Sequence, residues 1–212
     1  MSNRYDIITD QAGPHQDLVS VLAKHLTAAY LRPIPAQQQL AFDQFMTAYQ
    51  HINQPIILDS GCGRGMSAQL LAKQHPEQMV LGIDKSLHRL TQPFLIEGNL
   101  CLMQANLIDA WRLLLAAKLP IVKHYLLYPN PWPKSSQFKR RFHGHPIFPA
   151  MLQLTPAIEL RSNWKVYCQE FSLAYTQCTG QTLTLSEFNT DEPLTHFERK
   201  YLESNQPLFQ LK

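Results

Sequence analysis

Residues 55–65 read Pro55-Ile56-Ile57-Leu58-Asp59-Ser60-Gly61-Cys62-Gly63-Arg64-Gly65. A short apolar run closed by an acid and three alternating glycines is the end of a buried strand turning sharply into a loop. Glycines there let the backbone bend and let a ligand approach with no Cβ atoms in the way. A helical pattern follows over 66–74, then a second strand over 79–83 that ends at Asp84. The alternation continues with a helix over 85–97, a strand over 100–103, a helix over 108–118 and a strand over 121–128. Beyond a Pro-rich loop, 129–146, come a helix over 147–160, a strand over 165–169, a helix over 173–178 and a strand over 182–188. This order of six strands predicts an α/β fold, a mostly parallel sheet with right-handed crossovers and helices on both faces. Ligands of such sheets sit at the carboxyl ends of the strands. Residues 1–54 read as an N-terminal helical extension ahead of a domain at 55–212. Leu18, Val21, Leu22, His25, Leu26 and Ala29 share one helical face, and a second helix is expected after Pro33 and Pro35, through Leu40, Phe45, Met46 and Tyr49.

A dinucleotide fingerprint, G-x-G-x-x-G, would need glycine at position 66, which is methionine. The spacing Gly61, Gly63, Gly65, with Asp59 two residues ahead, suits S-adenosyl-L-methionine instead. That ligand has no pyrophosphate for a helix N-terminus; it has a zwitterionic amino acid, a sulfonium charge and a ribose. Asp59 can face the cationic end, and Asp84, 19 residues after Gly65, can take both ribose hydroxyls. The plainer reading makes Asp84 a helix cap. Asn106, after the third strand, suits the adenine edge, and it equally suits the cap of the helix that follows.

The 212 residues have 19 Lys+Arg and 16 Asp+Glu, a net charge of +3. The distribution is uneven. Residues 110–158 hold seven cations and no acid (Arg112, Lys118, Lys123, Lys134, Lys139, Arg140 and Arg141), leaving 12 cations against 16 acids elsewhere. A mildly acidic body with one basic segment points to an anionic partner. Residues 1–10 are polar, so no secretory leader is expected, and no apolar run approaches the roughly 20 residues that cross a bilayer. Cys62, Cys101, Cys168 and Cys178 have no C-x-x-C spacing and read as buried thiols of a cytoplasmic protein. His143 and His145, with no thiolate near, read as a surface loop, and no metal is expected.

After the fourth strand comes Tyr128-Pro129-Asn130-Pro131-Trp132-Pro133-Lys134, then Ser135-Ser136-Gln137-Phe138-Lys139-Arg140-Arg141. Three prolines in five residues stiffen a loop where a reacting group has to be held. Asn130 is expected at the carboxyl edge of the sheet beside the donor's methyl. Trp132 and Phe138 offer stacking faces, and Lys134, Lys139, Arg140 and Arg141 offer phosphate partners. An exposed Pro-rich loop before a solvated basic turn is the alternative.

With these segments in order, and Thr195-His196-Phe197-Glu198-Arg199 after them, the chain resembles the bacterial tRNA (guanine-N7-)-methyltransferases of the TrmB type over about 55–212. The resemblance implies a Rossmann-like class I S-adenosylmethionine-dependent methyltransferase fold with a mostly parallel seven-stranded sheet, and transfer of a methyl group to N7 of a tRNA guanine. It places Asp59, Gly61, Gly63, Gly65, Asp84, Asn106 and Asn130 on the cofactor. Lys134, Lys139, Arg140, Arg141, Glu170, Thr195 and Glu198 fall on the substrate side, with Asn130 and Glu198 catalytic. Glu198, Glu170 or both are expected to accept from guanine N1–H and N2–H. The implied partner is tRNA or another RNA met through 134–141, away from any membrane, with the protein a cytoplasmic monomer or homodimer.

The chain departs from that family where it carries Asn130 for the usual Asp, Asp59 for Glu, and Gln169-Glu170 for Thr-Asp; its first 54 residues hold only Arg4, Lys24 and Arg32 as cations. Other readings therefore stand beside the first: a methyltransferase of another RNA base, an exocyclic amine or a small molecule, or a non-catalytic RNA-binding protein that keeps the cofactor pocket. Thr195 and Glu198 also match an ordinary helix-capping pair.

Overall fold

The computed structural model describes residues 6–212, so Arg4 and the first half of the polar N-terminal stretch lie outside the described residues. In chain order the elements are α1 (Leu18–Thr27), α2 (Ala36–Ile52), β1 (Ile56–Ser60), α3 (Met66–Gln74), β2 (Met79–Asp84), α4 (Leu87–Leu90), β3 (Phe94–Glu97), β4 (Leu100–Gln104), α5 (Leu107–Ala116) and β5 (Ile121–Leu127). Two 3-10 turns, Ser135–Arg140 and Phe142–Gly144, precede α6 (Phe148–Leu152), β6 (Ile158–Ser162), α7 (Lys165–Thr179), β7 (Leu185–Phe188), α8 (His196–Glu203) and β8 (Leu208–Leu211). The chain divides into two compact units.

The unit of Arg32–Leu127 with Gln153–Ile158 carries five strands in the order β3-β4-β2-β1-β5. β1 pairs in parallel with β2 and β5, and β2 with β4; only edge strand β3 runs antiparallel, against β4. Every residue of β1 and β2 is buried, as strands covered on both faces require. Ala68, Leu71 and Ala72 of α3 pack on Ile57, Val80 and Leu102. The approach depends on Gly82, where a Cβ would lie 2.7 Å from Leu102 Cδ2 and 3.0 Å from Ala68 Cβ. Phe42, Phe45 and Tyr49 form the buried stripe of α2, which packs against α5 and β4.

The other unit, residues 6–31 with Tyr128–Leu152 and Glu159–Lys212, holds the antiparallel set β6-β8-β7. α1 buries Leu18 and Leu22 and packs on α7. In α7 the buried residues Tyr167, Glu170, Phe171, Ala174 and Tyr175 recur at helical spacing, and the helix stops at Gly180 with φ 72°.

Eight strands are present among the described residues, against seven expected. The expected helix over 85–97 shrinks to α4, which ends at Thr91 with φ 66°. Pro93 breaks it, and Phe94-Leu95-Ile96 hairpin back onto β4 across Gly98, at φ 59°. The expected helix over 147–160 stops at Leu152, because Pro156 cannot continue it, and β6 follows. The strand expected over 165–169 is the first turn of α7, and β8 was not anticipated. His143 is fully buried rather than in a surface loop.

Candidate active site

β1 ends at Ser60, and the chain then turns through Gly61, Gly63 and Gly65 with φ of 83°, 61° and 82°, a region that side-chain-bearing residues rarely enter. The amides of Gly61 and Cys62 donate to the Ile83 carbonyl (2.7 and 3.1 Å), folding the loop over the end of β2. Asp84, at that end, accepts from Gly63 N (3.0 Å) and Ser86 N (2.8 Å), with Arg89 Nη1 at 3.4 Å. A Cβ on Gly63 would meet nothing within 4 Å, so the space over the loop is open. Asp59 is 1% exposed. Its Oδ2 accepts from Ser67 Oγ at 2.5 Å, while Oδ1 is buried with no partner. Burial pushes its carboxyl up to about 7; the Ser67 hydrogen bond opposes the rise and the nearby Asp84 charge adds to it.

Asn106 does what a helix N-cap does: its Oδ1 accepts from Ile108 N at 3.0 Å, and its own amide donates to Gln38 Oε1. Its side-chain NH2 is left to donate. Behind the loop, Trp111 Nε1 donates to Ser60 Oγ (2.9 Å), which lies 2.8 Å from His124 Nε2. Burial pulls His124 down to about 3, so it is neutral.

In the other unit, Tyr128 opens the Pro-rich loop at φ 51°, and Trp132 sits at φ 46°. Asn130 is exposed; its Oδ1 makes only a 3.4 Å contact with Trp132 N. Lys134, Lys139 and Arg140 are exposed, and the Arg140 guanidinium lies 4.8 Å over the Trp132 ring. The N-terminal strap crosses this region. Thr9 Oγ1 donates to the Pro133 carbonyl (2.6 Å), and Asp10 accepts from both Ser135 N (2.7 Å) and Ser135 Oγ (2.9 Å). Phe138 is buried and stacks on His15 at 4.4 Å, which removes it as a face for a nucleic-acid base.

Arg141 and Glu170 are interior residues, 1% and 0% exposed. Arg141 Nη1 donates to Glu170 Oε2 at 2.5 Å, and His143 Nε2 lies 2.8 Å from the same oxygen. Gln11 Nε2 (3.1 Å) and His15 N (2.8 Å) donate to Oε1. Burial alone would raise Glu170; the hydrogen bonds and charges of His143 and Arg141 outweigh it and bring it down to about 2. Burial pulls His143 down, opposed by the hydrogen bond and charge of Glu170, and its Nδ1 is buried with no hydrogen-bond partner. Contrary to the sequence expectation, Arg141 offers nothing to a phosphate here, and Glu170 has no acceptor site facing outward.

Glu198 is likewise fully buried. Its Oε1 accepts from Tyr128 Oη and Arg161 Nη1, both at 2.9 Å, and its Oε2 from Leu194 N at 2.5 Å. Thr195, half-buried, caps α8 through Oγ1, which accepts from Glu198 N at 3.0 Å. The capping reading of the pair holds, though the Glu198 side chain turns to Tyr128 and Arg161 instead of closing a capping box. That geometry corrects the expectation of a Glu198 free to touch substrate. Tyr128, Arg161, His143, Gln11 and His15 were not legible as site residues: each is an unremarkable polar side chain until the fold brings it to a carboxylate.

A family model described as "Putative methyltransferase" matches residues 53–211. The chain belongs to that family. The tRNA (guanine-N(7)-)-methyltransferase of Acinetobacter baylyi is 24% identical over 221 residues, covering 92% of this chain and 86% of the relative. The enzyme of the same name from Alkaliphilus oremlandii is 29% identical over 203 residues, covering 88% and 93%. Among solved structures, the 16S rRNA methyltransferase KamB superposes with a TM-score of 0.55 at 16% identity, over 78% of this chain and 91% of that one. The 16S rRNA (adenine(1408)-N(1))-methyltransferase of Catenulisporales acidiphilia gives 0.53 at 14%, over 86% and 94%. These likenesses show the fold, the Rossmann-like α/β fold of class I S-adenosylmethionine-dependent methyltransferases. No helix of the described residues is long and apolar enough to cross a membrane.

Proposed function

We propose that this methyltransferase transfers a methyl group from S-adenosyl-L-methionine to N7 of a guanine in tRNA. The observation that carries the substrate is similarity along nearly the whole chain to enzymes named for that reaction. The donor reading is supported by the residues at the carboxyl ends of β1 and β2. Asp59 Oδ1 is a buried acceptor with no donor, which an ammonium group would satisfy. Asp84 keeps lone pairs for two hydroxyls beside the backbone amides that fix it, and the Asn106 NH2 can donate to an adenine ring nitrogen. Gly61, Gly63 and Gly65 let the backbone come close.

When bound, the donor supplies a methyl group on a sulfonium, open to in-line displacement. Guanine N7 presents a free lone pair, so no base has to remove a proton before attack. The protein's part is alignment and exclusion of water, and positioning of this kind is worth roughly 7–11 kcal/mol. On the acceptor side we assign Asn130, contributing a dipole where the family's Asp would contribute a charge. Thr195, Lys134, Lys139 and Arg140 serve the RNA. Glu198 acts through Tyr128, fixing the entry of the loop, and Glu170 acts through Arg141. The proposal carries with it a cytoplasmic setting, a monomeric or homodimeric state, and residues 1–54 as an extension ahead of the methyltransferase domain.

The test is incubation with labelled donor and bulk tRNA from a strain lacking its own N7 enzyme, followed by nucleoside analysis. The expected product is 7-methylguanosine. Labelled 6-methyladenosine would favour an exocyclic-amine enzyme, and donor binding with no transfer would favour a binding protein.

A further inference from the structure

Arg141 belongs by sequence to the basic segment, yet at 1% exposure it has no face for an RNA phosphate. We propose that Arg141 is a positioning residue, a buried fork that sets the backbone of the loop carrying Asn130. The proposal rests on the reading of that loop as the acceptor-side loop of a methyltransferase.

Arg141 Nε and Nη2 both donate to the carbonyl oxygen of Trp132, at 3.1 and 2.8 Å, and Nη2 lies 3.4 Å from the Lys134 carbonyl. Trp132 has φ 46°, a conformation that a bulky residue keeps only where its surroundings over-determine it. Two convergent N–H groups on its carbonyl supply that determination and fix the peptide two residues beyond Asn130. The fork is itself held in place. Nη1 is on Glu170 Oε2 at 2.5 Å, Nη2 also meets Gln11 Oε1, and the guanidinium lies 4.8 Å over the Trp164 ring. His143, donating to the same Glu170 oxygen, orients the carboxylate in turn. Lysine has neither the planar fork nor the stacking face, so charge alone cannot replace Arg141 here. Paired with a buried carboxylate, Arg141 also adds nothing to the surface field that draws RNA.

The test is R141K, followed by hydrogen exchange of the peptide covering 130–137 and by kcat, KM for tRNA and the salt dependence of KM. The expected result is faster exchange confined to 130–137 and a kcat lower by roughly a hundredfold, with the tRNA KM and its salt slope unchanged. K139A, at an exposed cation, should instead raise KM and flatten the slope. An R141K protein whose KM and salt slope shift while 130–137 exchanges as before would overturn the proposal. Should R141K not fold, E170Q removes the charge that aims the fork and should loosen the same peptide; unchanged exchange there also overturns it. The exchange measurement needs no substrate, so a native chain that labels no tRNA would count against the proposed substrate and leave the positioning role to be decided by exchange.

Discussion

Asp59 has two oxygens in unlike situations: Oδ2 is held by Ser67, and Oδ1 is buried with nothing on it. Burial raises its pKa from 3.8 to about 7. The folded chain therefore retains a proton that the unfolded chain releases, and between about pH 4 and pH 7 this group's contribution to stability falls as pH rises. Donor affinity runs the other way, because an ammonium favours the ionised carboxylate. Affinity for S-adenosylmethionine, measured by calorimetry, is expected to climb through pH 7 and level off above it. D59N should bind roughly tenfold more weakly at pH 8 and lose that pH dependence. At Asn130 the expectation has the opposite direction. The side chain is exposed and nearly unbonded, so N130D is tolerated and restores a charge; kcat should rise roughly tenfold in a single-turnover assay. No rise would show that the position does not act through charge.

Among the elements, the doubly wound half of the molecule was plain in the sequence and the remainder was not. β1, α3 and β2 lie where periodicity and glycines put them, because strands buried on both faces have only one way to read. In α7, Glu170 interrupts the apolar stripe of a helix whose other buried positions are regular, so the sequence pattern there suggests a strand; an interior carboxylate hides the period that betrays the helix. β6 was hidden behind Pro156, and β3 behind a run that suits helix and strand alike. The site was legible in the same proportion. Asp59, Asp84 and the glycines could be located from spacing, whereas the interior positions of Arg141, Glu170 and Glu198 follow from tertiary hydrogen bonds that no local pattern encodes. Helix-to-sheet packing gives an element-level prediction. G82A puts a methyl group against Leu102, Ala68 and Cys62 and should destabilise by roughly 2 kcal/mol. G98N, at φ 59° with nothing within 4 Å, should stay within about 1 kcal/mol of the native chain. Chemical denaturation of the two variants checks the contrast.

For the molecule as a whole, the net charge of +3 says little, while the location of the exposed cations says more. Of the four beside the Pro-rich loop, Lys134, Lys139 and Arg140 face outward and Arg141 does not. Three cations make a small electrostatic footprint for RNA, so recognition has to draw on the shape and chemistry of the acceptor nucleotide. The nucleotide proposed is guanine, and the acceptor atom is N7. The direct measurement compares two tRNA transcripts, one with guanosine and one with 7-deazaguanosine throughout, which lacks only that nitrogen. Methyl transfer to the first and none to the second is expected; equal labelling of both would exclude N7 as the acceptor.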